Sequence, residues 1–279
     1  MSSTVQTAVV GNVNMRTQKK KRVTPRWMLP RNWAPPAVAF LLVIVLWQVI
    51  ALWNPYLLPK LSEVFGSLAA KPDMYFSNFL VTLQEVAVGA GAGILGGFLL
   101  AVIMCEFNIV ERAIMPLVVV VMVTPVVAIA PALVVAFGFS MIPKYIVTAI
   151  MVFFSMLVNS LAGLRGVDQR ALDVMKTLNA SRWEIFRYLR FPGSMPYVFA
   201  GLRISLPLAV VGAAVAEFVA AGEQAGLGSL ITVAAAQANL PVTWASIILL
   251  ALLGIMLIAV LAIVRKRVLW WSEKEVNPA

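Results

Sequence analysis

The sequence predicts an all-α protein that crosses a bilayer six times. Three observations predict it. First, 61% of the 279 residues are apolar and the mean hydropathy is +0.92, where an ordinary soluble domain is closer to half apolar. Second, the apolar runs are continuous and about 20 residues long, enough to span a bilayer as helices. Inside lipid only helices and closed barrels satisfy their backbone, and the absence of residue-by-residue alternation excludes the barrel. Third, the charges are sorted along the chain in the way a multi-pass protein sorts them.

Residues 1–33 are polar and basic and end in QKKKRVTPRWMLPRNW. They read as a cytoplasmic tail. A KKKR run also occurs in nucleic-acid patches and at the head of signal peptides. The apolar run that follows has no small-x-small cleavage site and is long enough to stay in the membrane, so it reads as an uncleaved first span. Residues 34–267 form the membrane domain and 268–279 a short cytoplasmic C-terminal tail. The six spans are expected at about 36–53, 80–105, 113–137, 143–163, 197–220 and 243–264. A polar loop joins the first two, and the connection between the fifth and sixth is expected to include a short helix near the outer surface.

With the N-terminus inside, 19 of the 22 basic residues fall on the inner side: those at 16–31, Arg112, those from Arg165 to Arg203, and those at 265–274. Only Lys60, Lys71 and Lys144 fall on the outer side. This is the positive-inside pattern, with both termini and the 165–196 loop in the cytoplasm. It also accounts for the net charge of +10 through membrane topology and contact with lipid, with no nucleic acid as partner. A single cysteine, Cys105, and the absence of histidine exclude an intrachain disulfide, a His/Cys metal site and a histidine general base.

The 165–196 loop is polar and lies between two apolar runs. Residues 169–178 and 182–190 read as two helices. Asp173 and Lys176 stand three apart on one face, as do Glu184 and Arg187. Ser181 is an N-cap candidate, with Glu184 three residues on to complete a capping box. Asn179, between the two helices, is the non-glycine residue that best tolerates a left-handed helix end. Pro192 and Pro196 are expected to break the polar helix before the fifth span.

These residues resemble the coupling loop of ABC-importer permeases. In that loop E-A-A is followed, after three residues, by Gly, then after nine by Ile and after one more by Leu-Pro. Here Asp173-Val174-Met175, Asn179, Leu189 and Phe191-Pro192 occupy those places. Met175 is bulkier than the usual Ala. The resemblance runs over about 36–267. It includes LLPKLSEVFGSL, TPVVAIAPALVVAFGFSMIPKYI, FFSMLVNSLAGLRGVD and GEQAGLGSLI, which are similar to permeases of the nitrate, sulfonate and taurine group. Ser155 stands where that group often has Pro. Residues 124–146 are closer to permeases for thiamine-pyrimidine precursors or riboflavin.

The resemblance implies a pore subunit of an ATP-driven importer for a small solute in the bacterial inner membrane. It implies a homodimer of this chain, two copies of an ATPase and an extracytoplasmic solute-binding protein. ATP and Mg would be held by the ATPase, since this chain has no Walker A motif, no cofactor is implied in it, and no residue is expected to be catalytic. Asp173, Lys176, Asn179, Ala180, Ser181, Arg182 and Glu184 would contact the ATPase.

Thr124, Asn159 and Ser160 are polar candidates for a translocation path. Pro125 and Pro131 interrupt the third span and free backbone carbonyls there. Glu85 and Glu217 are ionisable groups at membrane depth, where each either serves the path or hydrogen-bonds to a neighbouring helix. The glycines of GAGAGILGG at 89–97 spell Gly-x-Gly-x-x-Gly, but no strand precedes them. Gly89, Gly93 and Gly97 stand four apart and read as a close-packing helix face. Trp47, Trp53, Trp244, Trp270 and Trp271 read as interfacial anchors.

Two other classes compete. A secondary transporter or channel without an ATPase would show inverted repeats and broken, charged midplane helices, and would leave the polar loop unexplained. A membrane enzyme would need convergent acids, His or Cys, and this chain has almost none.

Overall fold

The computed structural model describes residues 30–220 and 225–270. The basic residues at 16–26, Gly222–Gln224 and Trp271 onward lie outside the described residues. The described chain falls into two units, one ending at Ile50 and one beginning at Ala51.

The first unit is most of α1 (Pro30–Trp53), which carries Pro35 and Pro36 near its start. Its side chains from Phe40 to Leu46 are apolar and exposed. A helix that is apolar all round is stable only when surrounded by apolar material.

The second unit holds α2 (Leu61–Ala70), α3 (Pro72–Glu106), α4 (Asn108–Val123), α5 (Val126–Phe137) and α6 (Met141–Arg165). It continues with α7 (Gln169–Thr177), α8 (Arg182–Ile185), a π-helical turn (Phe186–Arg190), α9 (Phe191–Val219), α10 (Leu227–Ala236) and α11 (Leu240–Val268). Five helices among the described residues are long and apolar enough to cross a membrane. The pair α4 and α5, bent by 95°, makes a sixth crossing if it counts as one span. The third span is therefore not one straight helix over 113–137. Thr124 and Pro125 are extended, and Pro125 cannot donate the N–H that would continue the ladder.

α6 is the centre of the bundle, with α3 and α9 packed along it. The α3 face is the predicted glycine face. A Cβ on Gly89, Gly93 or Gly97 would stand 2.5 Å from Thr148 Cβ, the Ala149 carbonyl oxygen and the Phe153 carbonyl oxygen respectively. Backbones approach this closely only where side chains are missing. Val86, Ala90, Val152, Ala209, Val210, Ala213 and Leu253 fill the centre. Lower down, Ala101, Met104, Leu157, Leu161 and Leu164 join Val118 of α4.

Two elements depart from the sequence reading. Residues 61–70, expected as polar loop, form α2, started by the Lys60 N–H donating to Glu63. Its Val64 packs with Tyr75 and Ala245, and Ser67 and Tyr75 share a 2.6 Å hydrogen bond. The second departure is that Pro192 and Pro196 do not break the chain. α9 already begins at Phe191, which puts Pro192 in its first turn, where a missing N–H costs nothing. The irregularity is absorbed one turn earlier by the π-helical widening, closed by the Phe191 N–H on the Phe186 carbonyl.

The predicted short helix between the last two spans is α10. It ends at Ala238, a non-glycine residue in the left-handed region with φ 54°. Its N–H bonds the Ala235 carbonyl at 3.0 Å, and that of Asn239 bonds Ala234 at 2.8 Å. A Cβ costs about 1–2 kcal/mol there, partly offset by the extra freedom glycine would have unfolded. Ala238→Gly is expected to stabilise the protein by about 0.5–1 kcal/mol, read as a higher melting midpoint in detergent.

Candidate coupling loop and buried ion-pair cluster

The loop between α6 and α9 is built by local capping. Asp168 accepts the Arg170 N–H at 2.9 Å and starts α7. α7 ends in a Schellman closure. The Asn179 N–H bonds the Lys176 carbonyl and the Ala180 N–H bonds Met175, both at 3.0 Å, with Asn179 at φ 56°. Asparagine thus takes the left-handed position that its place in the sequence predicts. Ser181 and Glu184 then form the predicted box. The Ser181 N–H donates to Glu184 at 2.7 Å, and Ser181 Oγ accepts the Glu184 N–H at 3.3 Å.

Asp173 and Lys176 pair at 3.5 Å on the exposed face, which in water is worth only a few tenths of a kcal/mol. The expected pairing of Glu184 with Arg187 is replaced. Glu184 turns back to the cap, and the Arg187 guanidinium lies 5.8 Å from the Tyr188 ring centre.

Asp173, Lys176, Asn179, Ser181, Arg182 and Glu184 are exposed and Ala180 is half-buried. Beside them stand apolar side chains that the sequence reading did not single out: Val174, Leu178 at 75% exposure, Trp183 at 65%, and Tyr188. Large apolar groups on a polar loop signal a surface that meets a partner. Their cue was the amphipathic pattern itself. Ile185 is buried, and an aromatic series fixes the loop to the bundle. Trp183 stacks on Phe186 at 5.7 Å, Phe186 meets Phe191 at 6.0 Å, and Phe191 meets Phe98 of α3 edge-on at 6.2 Å.

The other chemical centre lies on α3 about 20 residues before Glu106, roughly 30 Å away at the helical rise. Lys144 of α6 is only 2% exposed and pairs at 3.0 Å with Glu85, which is fully buried. Lys144, one of the three basic residues that the sequence places on the outer side, is thus held inside the bundle by an ion pair. Glu217 of α9, also fully buried, accepts from Thr82 Oγ1 at 2.6 Å and from the Ser229 N–H at 3.0 Å. Thr82 Oγ1 in turn accepts the Leu227 N–H at 2.8 Å. Glu217 and Thr82 thus satisfy free N–H groups at the start of α10, as a helix N-terminus requires. Gly226 has no room for a Cβ beside the Glu217 carboxylate.

The five path candidates lie on three parts of the fold: Thr124 and Pro125 at the bend between α4 and α5, Asn159 and Ser160 on α6, and Glu217 on α9. Thr124 hydroxyl bonds the Val120 carbonyl at 2.9 Å beside exposed Pro125. Asn159 bonds the Ser155 carbonyl at 2.7 Å. Ser160 is buried, and its hydroxyl has no hydrogen-bond partner among the described residues. Glu217 serves α10.

A bundle of apolar helices with a capped polar loop between two of them fits a membrane transport subunit. The chain belongs to the family described as binding-protein-dependent transport system inner membrane component, which matches residues 93–270.

Among its relatives is the formylaminopyrimidine transport permease protein of Halalkalibacterium halodurans. It is 34% identical over 243 residues, covering 86% of this chain and 96% of that one. The riboflavin transport system permease protein of Chloroflexus aurantiacus is 27% identical over 90% of this chain and 96% of its own. The taurine transport system permease protein of Escherichia coli is 24% identical over 90% and 94%. This chain is accordingly a multi-pass inner-membrane permease subunit of an ABC importer for a small solute, and its family works with an ATPase and a binding protein. That membership decides against the secondary transporter.

Proposed function

We propose that this chain forms, as a homodimer, the pore of an importer for a pyrimidine-precursor or riboflavin-like heterocycle. Nitrate, sulfonate and taurine-like anions are the second choice. The single observation behind the heterocycle is the 34% identity, over 86% of the chain, to a formylaminopyrimidine permease. Each of two ATPase subunits holds ATP and Mg and grips one 165–196 loop from the cytoplasm, where both termini also lie. This chain carries no cofactor and does no chemistry of its own. Closure of the ATPases moves the two loops and turns the pore from inward-facing to outward-facing. Solute then enters from the binding protein.

In this reading Asp173, Lys176, Asn179, Ala180, Ser181, Arg182 and Glu184 form the rim of the ATPase contact, and Val174, Leu178 and Trp183 its apolar centre. Their exposure supports it, because buried apolar anchors inside a polar rim carry most of the affinity in protein interfaces. Thr124, Pro125 and Asn159 face the solute path, Ser160 lies buried next to Asn159 in α6, and Glu217 holds α10 at its outer end.

Trp183→Ala with Leu178→Ala removes two largely exposed side chains and, of the aromatic series, only its outermost stack of Trp183 on Phe186, so the melting midpoint is expected to fall by no more than about 2–4 °C. Co-purification of the ATPase with a tagged chain is expected to fall by more than about tenfold. Undiminished ATPase capture together with undiminished transport would sink the loop assignment.

A further inference from the structure

α3 ends at Glu106 and α4 begins at Asn108, so a single residue, Phe107, turns the chain between them. Two arginines grip this turn. Arg190, the last residue of the π-helical turn, donates to Glu106 at 2.5 Å, and both side chains are only about one-fifth exposed at 21% and 22%. Arg165, the last residue of α6, makes a two-pronged pair with Glu111 in the first turn of α4. One prong is 2.7 Å long, and Arg165 also reaches Asn108 Oδ1 at 3.2 Å. Forked arginine–carboxylate pairs fix direction as well as distance.

Arg165 and Arg190 are the two ends of the polar loop that carries α7 and α8. The loop is therefore fastened at both ends to one short turn. The fastening borders an open polar cleft of about 570 Å³, lined by Cys105, Asn108, Glu111, Arg112, Arg165 and Arg190 among others. The ion pairs bridge this cleft beside the apolar cluster that holds Val110, Ile114 and Val118 of α4 with Leu157, Leu161 and Leu164 of α6. α4 then runs from this turn to the 95° bend at Thr124–Pro125.

We propose that the Glu106–Glu111 turn is a second transmission element: Arg165 and Arg190 carry displacement of the loop into α4, which swings as an arm about the Thr124–Pro125 bend. The proposal rests on the loop's coupling role. Glu106, Glu111, Arg165 and Arg190 act as positioning residues, and none touches solute or nucleotide.

The test uses the full complex with ATPase and binding protein in proteoliposomes, measuring solute carried per ATP hydrolysed. Glu111→Arg and Arg165→Glu alone are expected to lower that ratio about tenfold, while the ATPase still co-purifies and hydrolyses ATP. The double swap is expected to recover most of the loss, as paired charges do in double-mutant cycles. Glu106→Arg with Arg190→Glu behaves likewise.

If reversal leaves no folded complex, Glu111→Gln with Arg165→Gln is used instead. A probe at exposed Leu117 is then expected to report ATP-driven movement in the unaltered chain and none in the variant. Unchanged solute per ATP in the single variants, a swap no better than they are, or a Leu117 probe that still moves overturns the proposal. Loss of ATPase capture in the Trp183 and Leu178 variants reports on the loop reading alone, so the two failures are distinct.

Discussion

Lys144→Met is expected to destabilise the folded chain by about 3–5 kcal/mol, the usual cost of removing one partner from a buried ion pair. Lys144 is 2% exposed and Glu85 fully buried, 3.0 Å away. Fully buried Glu217 is held in the same region by Thr82 and Ser229. Methionine matches the length of lysine but carries no charge. The variant therefore keeps the packing volume and leaves the sealed Glu85 carboxylate without its ammonium.

Lys144→Met with Glu85→Met removes both halves of the pair, and buried pairs replaced by apolar residues of similar volume are often neutral or better. The double variant is expected to recover most of the loss in a detergent melting curve. A single variant as stable as the unaltered chain would show that the pair contributes nothing. A double variant worse than the single would show that Glu85 is held by something other than Lys144.

The contrast between this cluster and the 165–196 loop explains what the sequence could reveal. The loop's geometry is local. Ser181 and Glu184 lie three residues apart, and Asn179 closes a helix within five residues, so propensity and spacing were enough to predict both. The glycine face of α3 was legible for the same reason, since its period lies within one helix. Lys144 and Glu85 are 59 positions apart, and nothing near Lys144 distinguishes a buried lysine in the first turn of a helix from a charge at the membrane surface. The fastening of Arg165 and Arg190 to Glu111 and Glu106 spans 54 and 84 positions and was illegible in the same way. α2 was missed because short amphipathic helices in polar surroundings draw their stability from tertiary packing, here on Tyr75 and Ala245. The helix break expected at Pro192 and Pro196 failed because Pro192 falls in the first turn of α9, where a missing N–H is tolerated, while Pro196 stands inside α9 without ending it.

Within the string GAGAGILGG two glycines only two positions apart are expected to respond oppositely to the same substitution. Gly91 is exposed and nothing lies within 4 Å of a Cβ built there. Gly91→Ala is therefore expected to be neutral or to stabilise α3 by up to about 1 kcal/mol through helix propensity. Gly93 is buried, with a Cβ falling 2.5 Å from the Ala149 carbonyl oxygen and 3.0 Å from Val152 Cβ. The obstacle is backbone, which cannot rotate away as a side chain can. Gly93→Ala is expected to cost about 2–3 kcal/mol as overpacking, and Gly93→Leu to leave little folded protein after extraction. α3 and α6 share the longest interface of the bundle, and α6 carries Lys144 at one end and Arg165 at the other. Forcing the two helices apart would therefore strain the buried ion pair and the Glu111 fastening together. Paired melting curves of Gly91→Ala and Gly93→Ala decide the matter: equal shifts would mean that the α3–α6 approach is looser than the glycine face requires.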